Sequence, residues 1–340
     1  MSKKTINALS AMLCLQLFAE VINTTGSEGL SVENKTFYDK ALIREAQPAL
    51  IHDQFGQERD IPKNGGKSIE FRKFASLPKA TKPLTEGVTP DGKALSVTAI
   101  TAHVEQYGDY VKLTDMLDMT AIDPVVIEAI KIVGNQAGLT LDTITRDVLH
   151  TGTNVSFATK ADGTEVLSRS TLDKTAILKV ADIRKAATKL KAANAPMIDG
   201  GYVAIIHPYA SEDLRNDPNW IDVHKYAAPE NIFEGEIGKI DKIRFVETTE
   251  AKIYKDETCP EGLAVFGTLV LGANAYGKTK IDGGGLQTII KQRGSAGTAD
   301  PLDQRSTVGW KAIKTAEILV ESYMVRIESC SSYSESAEAN

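Results

Sequence analysis

Cysteine is scarce in this 340-residue chain. Cys14, Cys259 and Cys330 stand far apart, and no C-x-x-C occurs. That excludes a disulfide framework and a thiolate zinc site, and it points to a reducing compartment. Long apolar runs are lacking too; nothing approaches the ~20 consecutive apolar residues of a membrane span. A basic excess is missing, since the formal charge is −6, which argues against sequence-independent duplex DNA binding. The five histidines, His52, His103, His150, His207 and His224, form neither H-E-x-x-H nor a close metal pair. No G-x-S-x-G nucleophile elbow occurs. With no local signature of catalysis, neither a catalytic residue nor a cofactor nor a metal is expected.

What is present is ordinary globular material, 42% hydrophobic. It is enough for two or three domains, or for one domain with large extensions. The opening "MSKKTINALSAMLCLQLFAE" has two lysines and an apolar stretch, but Asn7, Ser10 and Gln16 interrupt it and no small-x-small cleavage site follows. It reads as an amphipathic arm that docks elsewhere rather than as a signal peptide. Residues 29–50 read as a short helix ended by Pro48. "KSIEFRKF" alternates as a strand, and "SVTAITAHVEQYGDYVKL" is a second extended run. The segment between them, rich in Pro, Gly and Thr, is loop chemistry. A two-stranded ribbon with so little apolar material is marginal alone in water, so it is expected to lie on a partner.

Pro124 then opens the clearest helix, over 124–150, where Val126, Ile130, Val133, Ala137, Leu141, Ile144 and Val148 make one stripe. Gly134 and Gly138 leave room there for another backbone. A second amphipathic helix spans 176–195, and "GYVAIIHP" (201–208) reads as a buried strand. His207, at its end, reads as structural. Strands follow at "KIRFVET", "LAVFGTLVLG" and "GGGLQTIIKQ"; "QRGSAGTADPLDQRS" reads as a loop. "ILVESYMVRIE" closes the fold as one long strand, and the polar tail after it reads as disordered.

One motif asks for nucleotide chemistry. Gly272–Thr279, "GANAYGKT", satisfies G-x-x-x-x-G-K-[ST] after an apolar strand. A phosphate loop requires a helix to begin at Gly-Lys-Thr, so that backbone N–H groups face the phosphates. Here Gly283, Gly284 and Gly285 would end such a helix after about one turn. A turn between strands is the simpler reading. Charge gives the other lead. Residues 59–82 hold seven basic residues against two acidic, a local +5; residues 115–150 hold six acidic against two basic, a local −4. These are either two solvated faces or a complementary pair across a subunit boundary.

The order of features decides further. "HDQFGQERDIPKNGGKSIEFRKF" is followed by "LTEGVTPDGKALSVTAITAHVEQYGDYVKLTDMLDMTAIDP", then by a long helix ending "LDTITRDVLHTGTN". Then come "HPYASEDLRNDPNW", "IFEGEIGKIDKIRFVETTEAK", "GGGLQTIIKQRGSAGTADPLDQRSTVGWKA" and the closing strand. Over residues 29–329 this order resembles the major capsid proteins of tailed bacteriophages, whose shell fold is shared with encapsulins.

The resemblance implies an α+β capsid fold. Residues 1–50 would be an N-terminal arm and 51–112 an extended β-hairpin loop lying across a neighbour. Residues 113–200 would be a peripheral domain, built on the spine helix, the helix at 176–195 and the final strand. Residues 201–299 would be an axial domain, 300–329 the return to the peripheral domain and 330–340 the tail. The implied function is self-assembly into pentamers and hexamers of an icosahedral head enclosing double-stranded DNA, with portal and scaffold proteins as partners and no membrane. The protein would reside in the virion after assembly in the bacterial host cytoplasm, and it would not be an enzyme. Lys63, Lys67, Arg72 and Lys73 would steer the loop to an acidic face, with Asp118, Glu128 and Asp142 as candidates. The alternatives are an encapsulin-like bacterial shell and a nucleotide-binding enzyme built on Gly272–Thr279.

Overall fold

The computed structural model describes residues 42, 44–46, 50–62, 64–74, 77–84, 86–87, 89, 91–120, 125–225, 239–280, 284–295 and 300–340. The strand β1 is Gln57–Glu58, and β2 (Ser68–Phe74) and β3 (Val97–His103) form the ribbon. Next come β4 (Glu105–Thr114), the short helix α1 (Asp115–Thr120) and the long helix α2 (Val125–Leu149). After β5 (Val155–Phe157) stand α3 (Val180–Ala192), β6 (Tyr202–Ile206), α4 (Pro208–Arg215) and α5 (Pro218–Lys225). The strands β7 (Lys239–Ile240), β8 (Ile243–Glu247), β9 (Ile253–Tyr254), β10 (Val265–Leu271) and β11 (Tyr276–Thr279) follow. The chain ends through β12 (Gln287–Lys291), β13 (Arg305–Ile318) and β14 (Met324–Ser329).

Two sheets carry the body. In the first, β13 is central. It pairs antiparallel with β4 over 305–314, with β12 over 307–311 and with β11 over 315–318, while β1 adds parallel to β11. Alternate residues Val308, Trp310 and Ala312 turn inward against Ile130, Val133, Ala137 and Leu141 of α2. The predicted stripe thus meets a period-two face, which is how a helix covers a sheet. Toward the end of α2 the buried face turns to Thr145, Arg146 and Leu149, and Val148 is only half-buried. Gly134 lets a neighbouring segment come close: a Cβ there would lie 3.0 Å from the Leu42 carbonyl oxygen.

The second sheet runs β5-β14-β10-β6-β8-β7, with β9 also on β10. Val180, Ile183, Ala187 and Leu190 of α3 pack onto it with Ala204, Ile206, Phe266, Val270, Val325 and Ile327 in one fully buried cluster. Each such large side chain contributes about 1.5–3 kcal/mol relative to exposure.

Several expectations need correction. The closing strand is two strands. A 3-10 turn at Glu321–Tyr323 separates β13 from β14, and they join different sheets. The 14-residue β13 itself was not anticipated. The tail is not disordered. The Asp213 carboxylate accepts hydrogen bonds from Ser331 Oγ (2.6 Å), Ser332 N (3.0 Å) and Ser332 Oγ (2.7 Å), Tyr333 stacks on Tyr209, and Ala337 enters the second core. Polar composition signalled solvation, whereas here specific hydrogen bonds and one small apolar residue hold the segment. A boundary between residues 200 and 201 does not divide the packing, because α3 and β6 share one core. The expected helix over 29–50 falls mostly outside the described residues; Leu42 and Arg44–Ala46 are helical.

Candidate subunit-interface surfaces

The ribbon is a two-stranded sheet of its own, in register from Ser68↔His103 to Phe74↔Val97. Its two faces differ. Phe71 and Ala102, on one face near the root, are buried. The Phe71 ring lies on Gly277 of β11, where a Cβ would stand 2.7 Å from two ring carbons, and the Arg59 guanidinium sits 5.9 Å from the ring centroid. The other face ends in the cross-strand pair Phe74 and Val97, 62% and 48% exposed. Beyond it Leu77, Leu84 and Leu95 are exposed as well. The projecting part is therefore shorter than residues 51–112. Residues 51–61 belong to the body, with His52 and Ile61 buried, and β4 belongs to the first sheet.

A buried polar staple fixes that root. His52 donates its backbone N–H to Asp142 Oδ1 at 2.7 Å, and its Nδ1 lies 2.6 Å from Asp142 Oδ2. Tyr276 OH donates to the His52 carbonyl. Next door, Asp53 Oδ1 accepts from Thr145 Oγ1 at 2.9 Å and pairs with Lys314 Nζ at 2.7 Å, while Lys314 also donates to the Leu141 carbonyl. Burial pulls the Lys314 ammonium below its ordinary range despite Asp53, and burial pushes the Tyr276 phenol upward. The staple joins one loop to α2, β11 and β13. Breaking any single charged link would leave its partner buried and uncompensated.

This bears directly on the expected charged residues. Lys67, Arg72 and Lys73 are exposed on the ribbon, with Arg72 3.6 Å from Glu70. Glu128 is exposed on α2 and pairs with Lys131 at 2.7 Å. Asp142 is a correction: it is fully buried and bound to His52, so it belongs to no acidic surface. Lys63 and the Asp118 side chain lie outside the described residues. The sequence reading missed apolar exposure on the helices. Met116 and Met119 of α1 and Ile132 of α2 are each more than 60% exposed. Only the knowledge of which helix face meets the sheet separates these residues from core ones.

The nucleotide motif has a structural explanation. Val270 and Leu271 end β10, residues 272–275 turn with Asn274 at φ 59°, and Tyr276–Thr279 form β11. No helix begins at Gly277. That glycine accommodates Phe71, and Lys278 pairs with Glu58 at 3.0 Å. Hydrogen bonding to Lys280 and Lys278 holds the Glu58 carboxyl below its usual range. His207 is a helix cap whose Nδ1 accepts from Tyr209 N–H at 3.2 Å. Among the described residues no three His, Cys, Asp or Glu side chains are grouped to hold a metal, and no helix is long and apolar enough to cross a membrane.

A family model described as phage capsid protein matches residues 97–312. Solved structures share the fold at low identity. The capsid of Ralstonia phage GP4 aligns with a TM-score of 0.64 and 14% identity, covering 82% of this chain and 87% of that one. The Cyanophage P-SCSP1u capsid gives 0.60 and 15%, with 82% and 87% covered. The Cyanophage Pam1 capsid gives 0.61 and 14%, with 81% and 88% covered. No curated protein matches the sequence.

Proposed function

Because the chain belongs to the phage capsid protein family, we propose that its copies join through the ribbon, which leaves its own body and lies along a sister subunit. The protein is a major capsid protein of a phage head, an icosahedral shell built from many copies of this chain, and a component of the virion. Within that frame the copies form pentamers and hexamers around double-stranded DNA, with portal and scaffold proteins as further partners and assembly in the bacterial host cytoplasm. The chain works as a structural element, not as an enzyme. Residues 330–340 stay with the body, whereas most of the expected N-terminal arm, residues 1–50, lies outside the described residues.

One observation carries the reading. A seven-pair ladder forms a sheet of its own with Phe74 and Val97 uncovered, and Leu77 and Leu84 beyond it are uncovered too, although a hairpin of this size is marginal in water without a partner. The ribbon shaft offers Lys67, Arg72 and Lys73 to Glu128 of a sister. Exposed pairs of this kind set register and encounter rate more than affinity. The exposed Glu128–Lys131 pair is weak, on the order of 0.3–0.5 kcal/mol, so it yields readily to an intersubunit one. Electron microscopy of shells formed by Lys67→Glu/Lys73→Glu tests this. Yield should fall at low salt and differ less from wild type at high salt, and an unchanged yield at both would sink the steering role. Purified shells should contain nucleic acid; a protein cargo instead would favour the encapsulin-like alternative.

A further inference from the structure

The face of the first sheet that turns away from α2 is basic and uncovered. Register places its residues. Lys112, Thr307 and Lys291 form one row across β4, β13 and β12; Tyr110, Gly309 and Ile289 form the next; Gly108, Lys311 and Gln287 form the third. Their neighbours in sequence, Val308 and Trp310, face the helix, so these residues face outward. A trough of about 490 Å3 lies over Gly108 and Gly309, walled by Tyr110, Ile289 and Lys311. Tyr110 is 57% exposed and Ile289 37%. Among the described residues no carboxylate pairs with Lys112, Lys291 or Lys311. Asp109, at the rim, has its carboxylate tied to Gln136 Nε2 of α2 at 2.7 Å.

The ribbon has the matching chemistry, at its tip rather than along its shaft. Residues 83–92 contain Glu86 and Asp91 and no cation, whereas the shaft behind them is rich in lysine and arginine. Leu84, Glu86 and Asp91 are exposed. The stretch from Phe71 to Glu86 can span up to about 50 Å when fully extended, enough to reach a second copy.

Resting on the reading of the ribbon as an intersubunit strap, we propose that the tip of one copy seats in this basic trough of a second copy. Leu84 rests on Tyr110 and Ile289, and Glu86 and Asp91 meet Lys112 and Lys311. The trough repels the basic shaft, so charge selects the tip and sets how far the ribbon slides across its neighbour. Opposed signs at two places along one strap define register better than a single attractive patch.

A charge-swap cycle tests the pairing, with shells counted by electron microscopy and soluble subunits melted as a folding control. Glu86→Lys/Asp91→Lys should cut shell yield roughly tenfold or more, because like charges then face each other. Lys112→Glu/Lys311→Glu should do the same. Both reversals in one chain should return the yield to within about twofold of wild type. A combined variant no better than the worse single reversal overturns the pairing, and so do single reversals without effect. If a reversal lowers the melting temperature, Glu86→Gln/Asp91→Asn and Lys112→Gln/Lys311→Gln replace it; the combination should then lose no more than either half, and additive loss overturns the pairing. Wild-type particle yield that is unchanged by deletion of residues 75–96 would instead refute the intersubunit strap itself.

Discussion

The ribbon and the second sheet are built from the same ladder of backbone hydrogen bonds, yet they stand in opposite relations to water. On the sheet, β10 is buried along its whole length, and Leu190 of α3 closes over a core in which most side chains have no exposure. On the ribbon, Ser68–Phe74 buries one residue of seven. Hydrogen bonds contribute little net stability, because each replaces one to water; the apolar area removed from water separates a self-sufficient unit from a dependent one. The sheet folds a subunit, whereas the ribbon holds apolar surface in reserve for contact between subunits.

Truncating one leucine in each region separates the two roles most strongly. Leu190→Ala should cost about 2–5 kcal/mol of subunit stability in urea unfolding, since it opens a cavity in a closed core. Leu84→Ala, at a side chain 76% exposed, should leave unfolding within about 0.5 kcal/mol of wild type. Its effect should appear in shell yield. A stability loss at Leu84 equal to that at Leu190 would show that the ribbon is folded back onto its own body, and the contrast would collapse.

A smaller effect is expected where the regions touch. Gly277→Ala places a methyl group against the Phe71 ring, so either the ring or the strand must give way. Overpacking of this kind costs about 1–3 kcal/mol. Because Phe71 orients the ribbon root, this substitution should lower both subunit stability and shell yield. A change in stability alone would mean that the ribbon's direction is set elsewhere, at the His52–Asp142 staple.

Sequence patterns reached the ribbon and the long helix because each has a strong local signal. Alternation between Pro- and Gly-rich turns marked the first, and a three-four stripe after Pro124 marked the second; 124–150 was expected and Val125–Leu149 is observed. β13 escaped because its inward positions include Ala312, Lys314 and Ala316, two small residues and a charge, so the alternation is faint. Lys314 is tolerated there because Asp53 and the Leu141 carbonyl, both far away in sequence, reach it. The same distance hid the burial of Asp142, whose partner His52 lies ninety residues earlier. The Ser-rich tail looked unstructured because Asp213, which binds it, is invisible from the tail itself. Of the candidate interface, the basic shaft was legible as a charge run, whereas the Phe71 socket and the basic sheet face exist only once strand register is known.

The smallest effect is a pH dependence confined to the body. His150, at the end of α2, is buried with Nδ1 2.8 Å from Tyr254 OH, and burial, with Arg326 nearby, depresses its pKa well below the ordinary 6.5. The native state thus resists the proton that the unfolded chain accepts. Stability from this site is complete above pH 6.5 and declines as the pH falls below it, because the unfolded state then binds more protons. For one group the slope cannot exceed about 1.4 kcal/mol per pH unit. Replacing His150 with Gln should flatten stability against pH between about 6.5 and 5 by up to that slope. Deleting the ribbon beyond Phe74 should leave the slope unchanged, since among the described residues the groups acting on His150 are Tyr254, Arg326, His52, Arg146 and Lys252, none of them in the ribbon. If ribbon deletion alone flattened the curve, the body would be sensing the ribbon, and the division of labour between the two regions would fail at its most sensitive point.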